Sequence, residues 1–205
     1  GGSDHGPLRT AVQVALDRLA YRSANRLLVA SQVLAGKLAA AGFPHDAIRV
    51  VPPGRDVAAV SDESLVDLRL GRQAAFLCVG NWQPRKGIYC LLEAFARLPA
   101  GAGTLHLVGD PRVDAPYHRR IADRLTRPDL SQRVVVHGVV PRERVAAFYR
   151  AADVFVLPSF VEPYGTVYGE AMTYGLPVVG WRAGNLPNLV DDGVEGILVT
   201  TGDLA

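Results

Sequence analysis

Lysine is nearly absent from this chain. Twenty arginines stand against two lysines, Lys37 and Lys86. A sequence that prefers arginine this strongly, yet keeps a lysine at one position, has a use there for a compact ammonium. Cysteine is scarce too. Cys78 and Cys90 form no C-x-x-C pair. Cys78 falls in an apolar strand and Cys90 in an apolar helix, so both read as buried free thiols. That pattern fits a reducing compartment, and the chain reads as cytoplasmic. No apolar run approaches the ~18 residues of a membrane span, and no signal peptide is visible. Net charge is only +2, too little to argue for nucleic acid. An initiating methionine is missing as well. The opening GGSDHGPL reads as a truncation or a tag scar and is set aside from fold reasoning.

What is present is a globular balance of 49% hydrophobic and 20% charged residues over 205 positions. That suits one large domain, or one domain plus part of a second. From residue 74 onward, short apolar runs alternate with helical patterns. The strands read 74–80, 104–110, 133–138, 153–159, 177–181 and 196–199. They are near-continuously apolar, as expected for a parallel sheet covered on both faces. Helices are expected over 87–98, 116–126, 141–151 and 165–175. Such alternation predicts an α/β fold with a Rossmann-like doubly wound parallel sheet, with ligands at the carboxyl ends of the strands.

The first stretch differs. Residues 7–24 read as an amphipathic helix, 26–31 as a strand, and 32–41 as a helix capped by Ser31 and ended by Gly42. A strand at 48–51 and the turn PPG at 52–54 follow. One βαβ unit is too little to bury its own faces. Residues 1–54 therefore read as the remnant and linker of a preceding domain, and 55–205 as the main domain. A short helix is expected within the connector, at 62–71. Arg18, Arg22 and Arg26 form a basic helical stripe that could touch anionic lipid, but a solvated face is the plainer reading.

Two stretches carry chemistry. In VGNWQPRKG, 79–87, a strand ends at Gly80 and Lys86-Gly87 opens a helix. The spacing is not that of a P-loop, and Ile88 stands where the magnesium-binding Ser or Thr would be. A cation at a helix start opposes the helix dipole, so a nearby anion would resolve the conflict. Lys86 is a good point-charge partner for phosphate, and a plain solvated turn is the alternative. In FVEPYGTVYGEAMTYGLPVV, 160–179, a strand-end loop carries Glu162 and a helix begins near Gly165. The N–H groups of Gly165, Thr166 and Val167 form a ready anion site, and Gly165 lets a phosphate come close. Glu170 lies about one turn further in and suits a vicinal diol such as ribose. A pair of hydrolytic carboxylates would sit roughly 5–9.5 Å apart. Eight helical residues would span about 12 Å, so two separate contacts along one long ligand fit better. His106 and His137 fall inside apolar strands and read as packed, satisfied side chains. No His/Cys/Asp cluster has metal spacing.

The E-x7-E arrangement of EPYGTVYGEAMTYGLPVVGW resembles the donor-site motif of retaining family 4 (group 1) glycosyltransferases, which have the GT-B fold. The resemblance extends over RLLVASQVLAGKLAAAGFPHDAIRVVPPGRD, FLCVGNWQPRKGIYCLLEAFARL, LHLVGDP, VVVHGVVPRERVAAFYRAADVFVLPS and AGNLPNLVDDGVEGILVTTGD, in the family's order. It implies the second, donor-binding domain of a GT-B fold, with a short remnant of the first. It also implies transfer of a sugar from a nucleotide-diphosphate sugar to an acceptor the sequence does not name, with retention and without a metal or other cofactor. By that resemblance Glu170 would hold the ribose and Glu162 the sugar hydroxyls. Gly165, Thr166, Val167 and Lys86 would bind the diphosphate, and the main chain around Val139 would meet the base. The family often has an arginine where this chain has Asn81, so one diphosphate cation is missing unless Arg85 replaces it.

Other readings stay open: a sugar-nucleotide epimerase on the same fold, or a non-catalytic nucleotide-sugar-binding module. A pyridoxal-phosphate phosphorylase would need a Schiff-base lysine, and neither Lys37 nor Lys86 has a cofactor context. Self-association through apolar faces of residues 7–51 is expected, and a peripheral membrane contact would fall to the missing domain.

Overall fold

Six strands, all pairing in parallel, form the main sheet. The computed structural model describes residues 7–54 and 67–204. The chain divides into two compact units, Gly1–Pro53 and Gly54–Ala205.

In the first unit, α1 (Pro7–Ser23) leads to β1 (Leu27–Val29), α2 (Gln32–Ala40) and β2 (Ile48–Val50). β1 and β2 pair in parallel, Leu27 opposite Ile48. Ser31 caps α2 as expected, its hydroxyl accepting from the Leu34 N–H at 3.2 Å. Gly42 then turns the chain at φ 88°. Phe43 is buried and meets Tyr21 edge-on, with ring centroids 6.2 Å apart. Two strands of three residues cover little, and Leu28 stays 70% exposed.

The second unit runs β3 (Ala74–Val79), α3 (Ile88–Ala96), β4 (Gly103–Val108), α4 (Ala115–Leu125), β5 (Val134–Gly138), α5 (Arg142–Ala151), β6 (Val154–Val156), α6 (Thr166–Thr173), β7 (Val178–Trp181) and β8 (Gly196–Val199). The strands lie in the order β5-β4-β3-β6-β7-β8. β4 is buried along its whole length, as its near-continuously apolar run predicts, and its polar Thr104 and His106 are hydrogen-bonded to carbonyls of 68–69. α3 buries Ile88, Leu91, Leu92 and Phe95, the i, i+3, i+4, i+7 stripe of a helix lying on a sheet. α4 is capped by Asp114, whose carboxylate accepts from the Tyr117 N–H at 2.9 Å. Its buried Arg124 ties it to Glu93 of α3 at 2.6 Å.

Two sequence expectations need correction. Cys78 is buried, but Cys90 is only half-buried. It lies off the α3 stripe, so the apolar character of its neighbours does not carry over to it. The helix expected at 62–71 falls partly outside the described residues, and its described end is not helical. There Leu70 and Gly71 both take positive φ, 49° and 77°. The Leu68 and Arg69 carbonyls are claimed by β4 instead, through His106 Nε2 at 2.7 Å and the Thr104 hydroxyl at 2.8 Å. Among the described residues, no helix is long and apolar enough to cross a membrane.

This strand order is what positions a site. The chain builds outward from β3 to one edge, then returns to β6 and builds toward the other. The chain paths leaving β3 and β6 head for opposite edges of the sheet, and in sheets of this kind the carboxyl ends of the strands at that reversal are where a ligand crevice forms.

Candidate functional site

Two loops meet in that crevice: Gly80–Gly87 after β3 and Leu157–Gly165 after β6. They are joined by backbone and side chain alike. The Phe160 N–H donates to the Arg85 carbonyl at 2.8 Å, and the Ser159 hydroxyl donates to the same oxygen at 3.1 Å. The Arg85 guanidinium reaches the Val161 carbonyl at 3.3 Å. Gly87, at φ 68°, lies so close to the second loop that a Cβ would fall 2.0 Å from the Pro158 carbonyl oxygen.

At the centre of this junction, the Lys86 ammonium contacts the Glu162 carboxylate at 2.5 Å, each side chain 11% exposed. The Lys86 stem lies over Gly80, its Cδ and Cε within 4 Å of where a Cβ would stand. Lys86 is in a short 3-10 turn, Pro84–Lys86, and α3 begins after Gly87. It therefore precedes the helix it was expected to open. Glu162 is held from its other side by the loop after β7. The Asn185 N–H donates to the Glu162 carbonyl at 2.9 Å. Gly184 adopts φ 57°, and a Cβ there would come within 2.6 Å of that carbonyl. The Asn185 side-chain amide donates to the Tyr164 carbonyl at 2.8 Å.

α6 starts next to this pair. Gly165 is its N-cap residue at φ 97° and ψ 44°, and no side chain caps the helix. Helix geometry then points the first N–H groups, around Thr166 and Val167, out of its end. A Cβ on Gly165 would fall 2.7 Å from Leu189 Cδ1 and 2.9 Å from Tyr168 Cδ2. Tyr168 anchors α6 to the end of β6, its buried hydroxyl donating to the Leu157 carbonyl at 2.7 Å. Glu170 is one turn further along. Its carboxylate accepts from the Tyr149 hydroxyl at 3.2 Å, and it lines a small cavity between α5 and α6 with Arg142 and Tyr174.

The remaining expected residues spread along the same edge of the sheet. Val139, 71% exposed, follows Gly138 at the end of β5. β5 is the edge strand, two places from β3, or roughly 10 Å away. Asn81 is engaged elsewhere, its Oδ1 accepting from the Asp110 N–H at 2.9 Å after β4. Arg85 is exposed on the crevice rim, its Nε donating to Gln83 at 2.9 Å. So Lys86 and Glu162 touch, Arg85 flanks them, and Gly165 to Glu170 follow along α6. Val139 stands at the far end, and Asn81 is turned away to a structural bond.

Beneath Val139, His106 and His137 are stacked, with ring centroids 5.2 Å apart and an Nδ1–Nε2 contact of 2.9 Å. His106 Nε2 faces the Leu68 carbonyl, which can only accept, so that nitrogen carries the proton. His106 Nδ1 is then the acceptor, and His137 Nε2–H the donor. Both nitrogens of His106 and the Nε2 of His137 are thereby partnered, in line with the packed histidines expected from the sequence. Burial lowers both pKa values, that of His137 to about 4 with a smaller push from His106.

Sequence reasoning missed three participants: the direct Lys86–Glu162 pairing, the buttress of Gly184 and Asn185, and Tyr149 beneath Glu170. The rarity of lysine pointed at Lys86, but only strand order brings Glu162 to it. Tyr149 carried no signal beyond its place in an amphipathic helix.

Comparison with known proteins adds the following. The family model described as glycosyl transferases group 1 matches residues 73–205. A D-inositol 3-phosphate glycosyltransferase of Corynebacterium kroppenstedtii is 35% identical over 201 residues, covering 89% of this chain and 44% of that protein. Among solved structures, Anabaena Alr3699/HepE in complex with UDP and glucose superposes with a TM-score of 0.83 at 31% identity. The match covers 95% of this chain and 54% of HepE. Sucrose-phosphate synthase from Thermosynechococcus elongatus gives a TM-score of 0.80 at 29% identity, over all of this chain and 52% of that one. The chain thus spans about half the length of the relatives it matches.

Proposed function

The chain belongs to the group 1 glycosyl transferases, and from that premise we propose that it forms the donor-binding part of an enzyme moving a sugar from a nucleoside diphosphate to an acceptor. The observation that carries this reading is the Lys86–Glu162 pair at the crevice, beside the uncapped start of α6. A cation and a set of outward N–H groups side by side suit a diphosphate. An ammonium has three donors, and the contact with Glu162 uses one of them.

The donor would lie along the carboxyl edge of the sheet. Its base meets the main chain near Val139, and its ribose diol the Glu170 carboxylate. The diphosphate meets Gly165, Thr166, Val167 and Lys86, with Arg85 on the rim in place of the cation that Asn81 does not supply. The sugar hydroxyls meet Glu162. As the bond from the anomeric carbon to phosphate breaks, negative charge grows on the departing oxygen. Lys86 and the α6 dipole are already aimed at that charge, and such preorganised stabilisation lowers the barrier. Positive charge comes from the chain itself, so the reading needs no metal. Glu162 is held against Lys86 by the Gly184–Asn185 loop, a placement that suits hydroxyl recognition more than nucleophilic attack. With no nucleophile assigned, the acceptor would enter on the face the diphosphate leaves, and configuration would be retained.

The Anabaena relative has been solved with UDP-glucose, so a uridine donor is the first to try. Calorimetric titration of the intact enzyme with UDP, GDP and ADP, beside Glu170→Ala, tests the site. One nucleotide should bind, and the variant should lose it. A folded sample that binds none of the three, or a variant that binds as well as the parent, would overturn the reading.

A further inference from the structure

Tyr149 is among the most deeply buried side chains of the second unit, at 2% exposure. It belongs to α5, yet its hydroxyl reaches α6. Its ring stacks on Tyr174, with centroids 5.5 Å apart and planes 11° from parallel, and tilts against Phe155 of β6 at 5.9 Å. A phenol clamped this way has few conformations left. Its hydroxyl reaches two points of α6: Glu170 Oε2 at 3.2 Å and the Val167 carbonyl at 3.4 Å. A buried tyrosine hydroxyl needs a partner, and the carboxylate is both the nearer and the charged one. Glu170 is a long side chain on a half-buried helix face, and each bond that fixes it narrows the rotamers open to it.

We propose that Tyr149 is a positioning residue that fixes the Glu170 carboxylate in the orientation required to read an intact ribose diol. This rests on the assignment of Glu170 to the ribose under the proposed function. The physical argument is one of preorganisation. A carboxylate that must be ordered at each binding event loses affinity to the entropy of ordering, and one already held by a rigid donor does not. A hydroxyl that donates to one carboxylate oxygen also orients the whole group, so that its remaining acceptor directions face the diol rather than solvent. Because the same hydroxyl lies near the Val167 carbonyl, the ribose carboxylate and the first turn of α6 share one rigid reference point. Specificity for ribose over a deoxygenated sugar then comes from a buried side chain that never touches the nucleotide.

The test uses the nucleoside diphosphate selected by titration of UDP, GDP and ADP, together with its 2′,3′-dideoxy analogue. Both are titrated into the intact enzyme and into Tyr149→Phe, Glu170→Gln and the double variant. The readout is the ratio of the two dissociation constants, which a loss of general packing would leave unchanged. Tyr149→Phe keeps the stacked ring and removes one oxygen, and a thermal melt confirms that it folds. It is expected to lower the preference for the ribonucleotide about tenfold, the scale of one hydrogen bond to a charged group. Affinity for the dideoxy analogue should stay within about twofold. In the Glu170→Gln background it should add nothing further. An unchanged ratio in Tyr149→Phe, or an equal loss for both nucleotides, would overturn the positioning role. If Glu170→Gln itself keeps the full preference, the assignment of Glu170 to the ribose fails, and this inference fails with it.

Discussion

Lys86 and Glu162 are 76 residues apart in sequence and 2.5 Å apart in space. Removing one partner of a nearly buried ion pair leaves the other uncompensated, which costs more than the pair contributes. On the proposed function, Lys86→Ala in the intact enzyme should lower turnover at least about tenfold, because the cation proposed to face the leaving diphosphate is gone. Near-normal turnover of a folded variant would remove Lys86 from the mechanism. The histidine pair gives a residue-scale prediction of another kind. His137 titrates near its ordinary 6.5 when unfolded and at about 4 when folded, with burial the main cause and His106 and Arg144 adding to it. Between those values the unfolded chain holds more protons than the native one, so stability falls as pH drops from about 6.5 to about 4 and levels off below. His106 shifts in the same direction through burial, opposed by the Leu68 carbonyl. Protonating it would set two N–H groups face to face. His137→Gln keeps a donor toward His106 without titrating. Its melting temperature should fall less between pH 7 and pH 5 than that of the parent, and equal slopes would sink the assignment.

At the scale of elements, the turn from β3 into α3 is the tightest constraint on the crevice. Gly87 has φ 68°, and a Cβ would meet the Pro158 carbonyl at 2.0 Å. The left-handed backbone alone costs a non-glycine residue on the order of 1–2 kcal/mol, and the clash adds to that by pushing the two loops apart. Gly87→Ala should therefore lower the melting temperature by about 4 °C or more and weaken nucleotide binding, since Lys86 is the preceding residue. A variant as stable as the parent would show that the loops separate freely. The strand and helix succession was legible in the sequence because each element carries its own signal. Examples are the near-continuously apolar run of β4, the serine before α2 and the glycine before α6. Glycines at 165 and 87 and the glutamates at 162 and 170 could likewise be singled out locally. Strand order could not, since no local pattern states that β6 returns to lie beside β3. The Lys86–Glu162 contact depends on that return and so was invisible. The irregular course of 67–71 was missed for the same reason: Leu68 is fixed by His106, a residue 38 positions away.

For the whole molecule, the two units differ in how well each covers its own apolar surface. The second closes helices over a six-stranded sheet and buries Leu77, Leu92, Leu105, Ile121 and Phe155 almost completely. The first has a two-stranded sheet, and none of the nine residues of α2 is buried. Leu16, Leu19 and Leu28 are 56%, 70% and 70% exposed there, and Val51 is 54% exposed. Scattered exposed leucines are ordinary on a protein surface, but several on one small unit whose buried apolar side chains, among the described residues, are Phe43 and Ile48 make a surface that gains by being covered. Copies of this 205-residue chain should therefore associate through the first unit as concentration rises. Light scattering should report a mass above the monomer that falls on dilution. Leu19→Lys with Leu28→Glu should shift the mass toward the monomer while leaving nucleotide binding by the second unit unchanged. A monodisperse monomer at every concentration would count against this expectation. A mass unaffected by the double substitution would move the contact to the second unit, where Ile197 of the edge strand β8 and Val194 just before it are exposed.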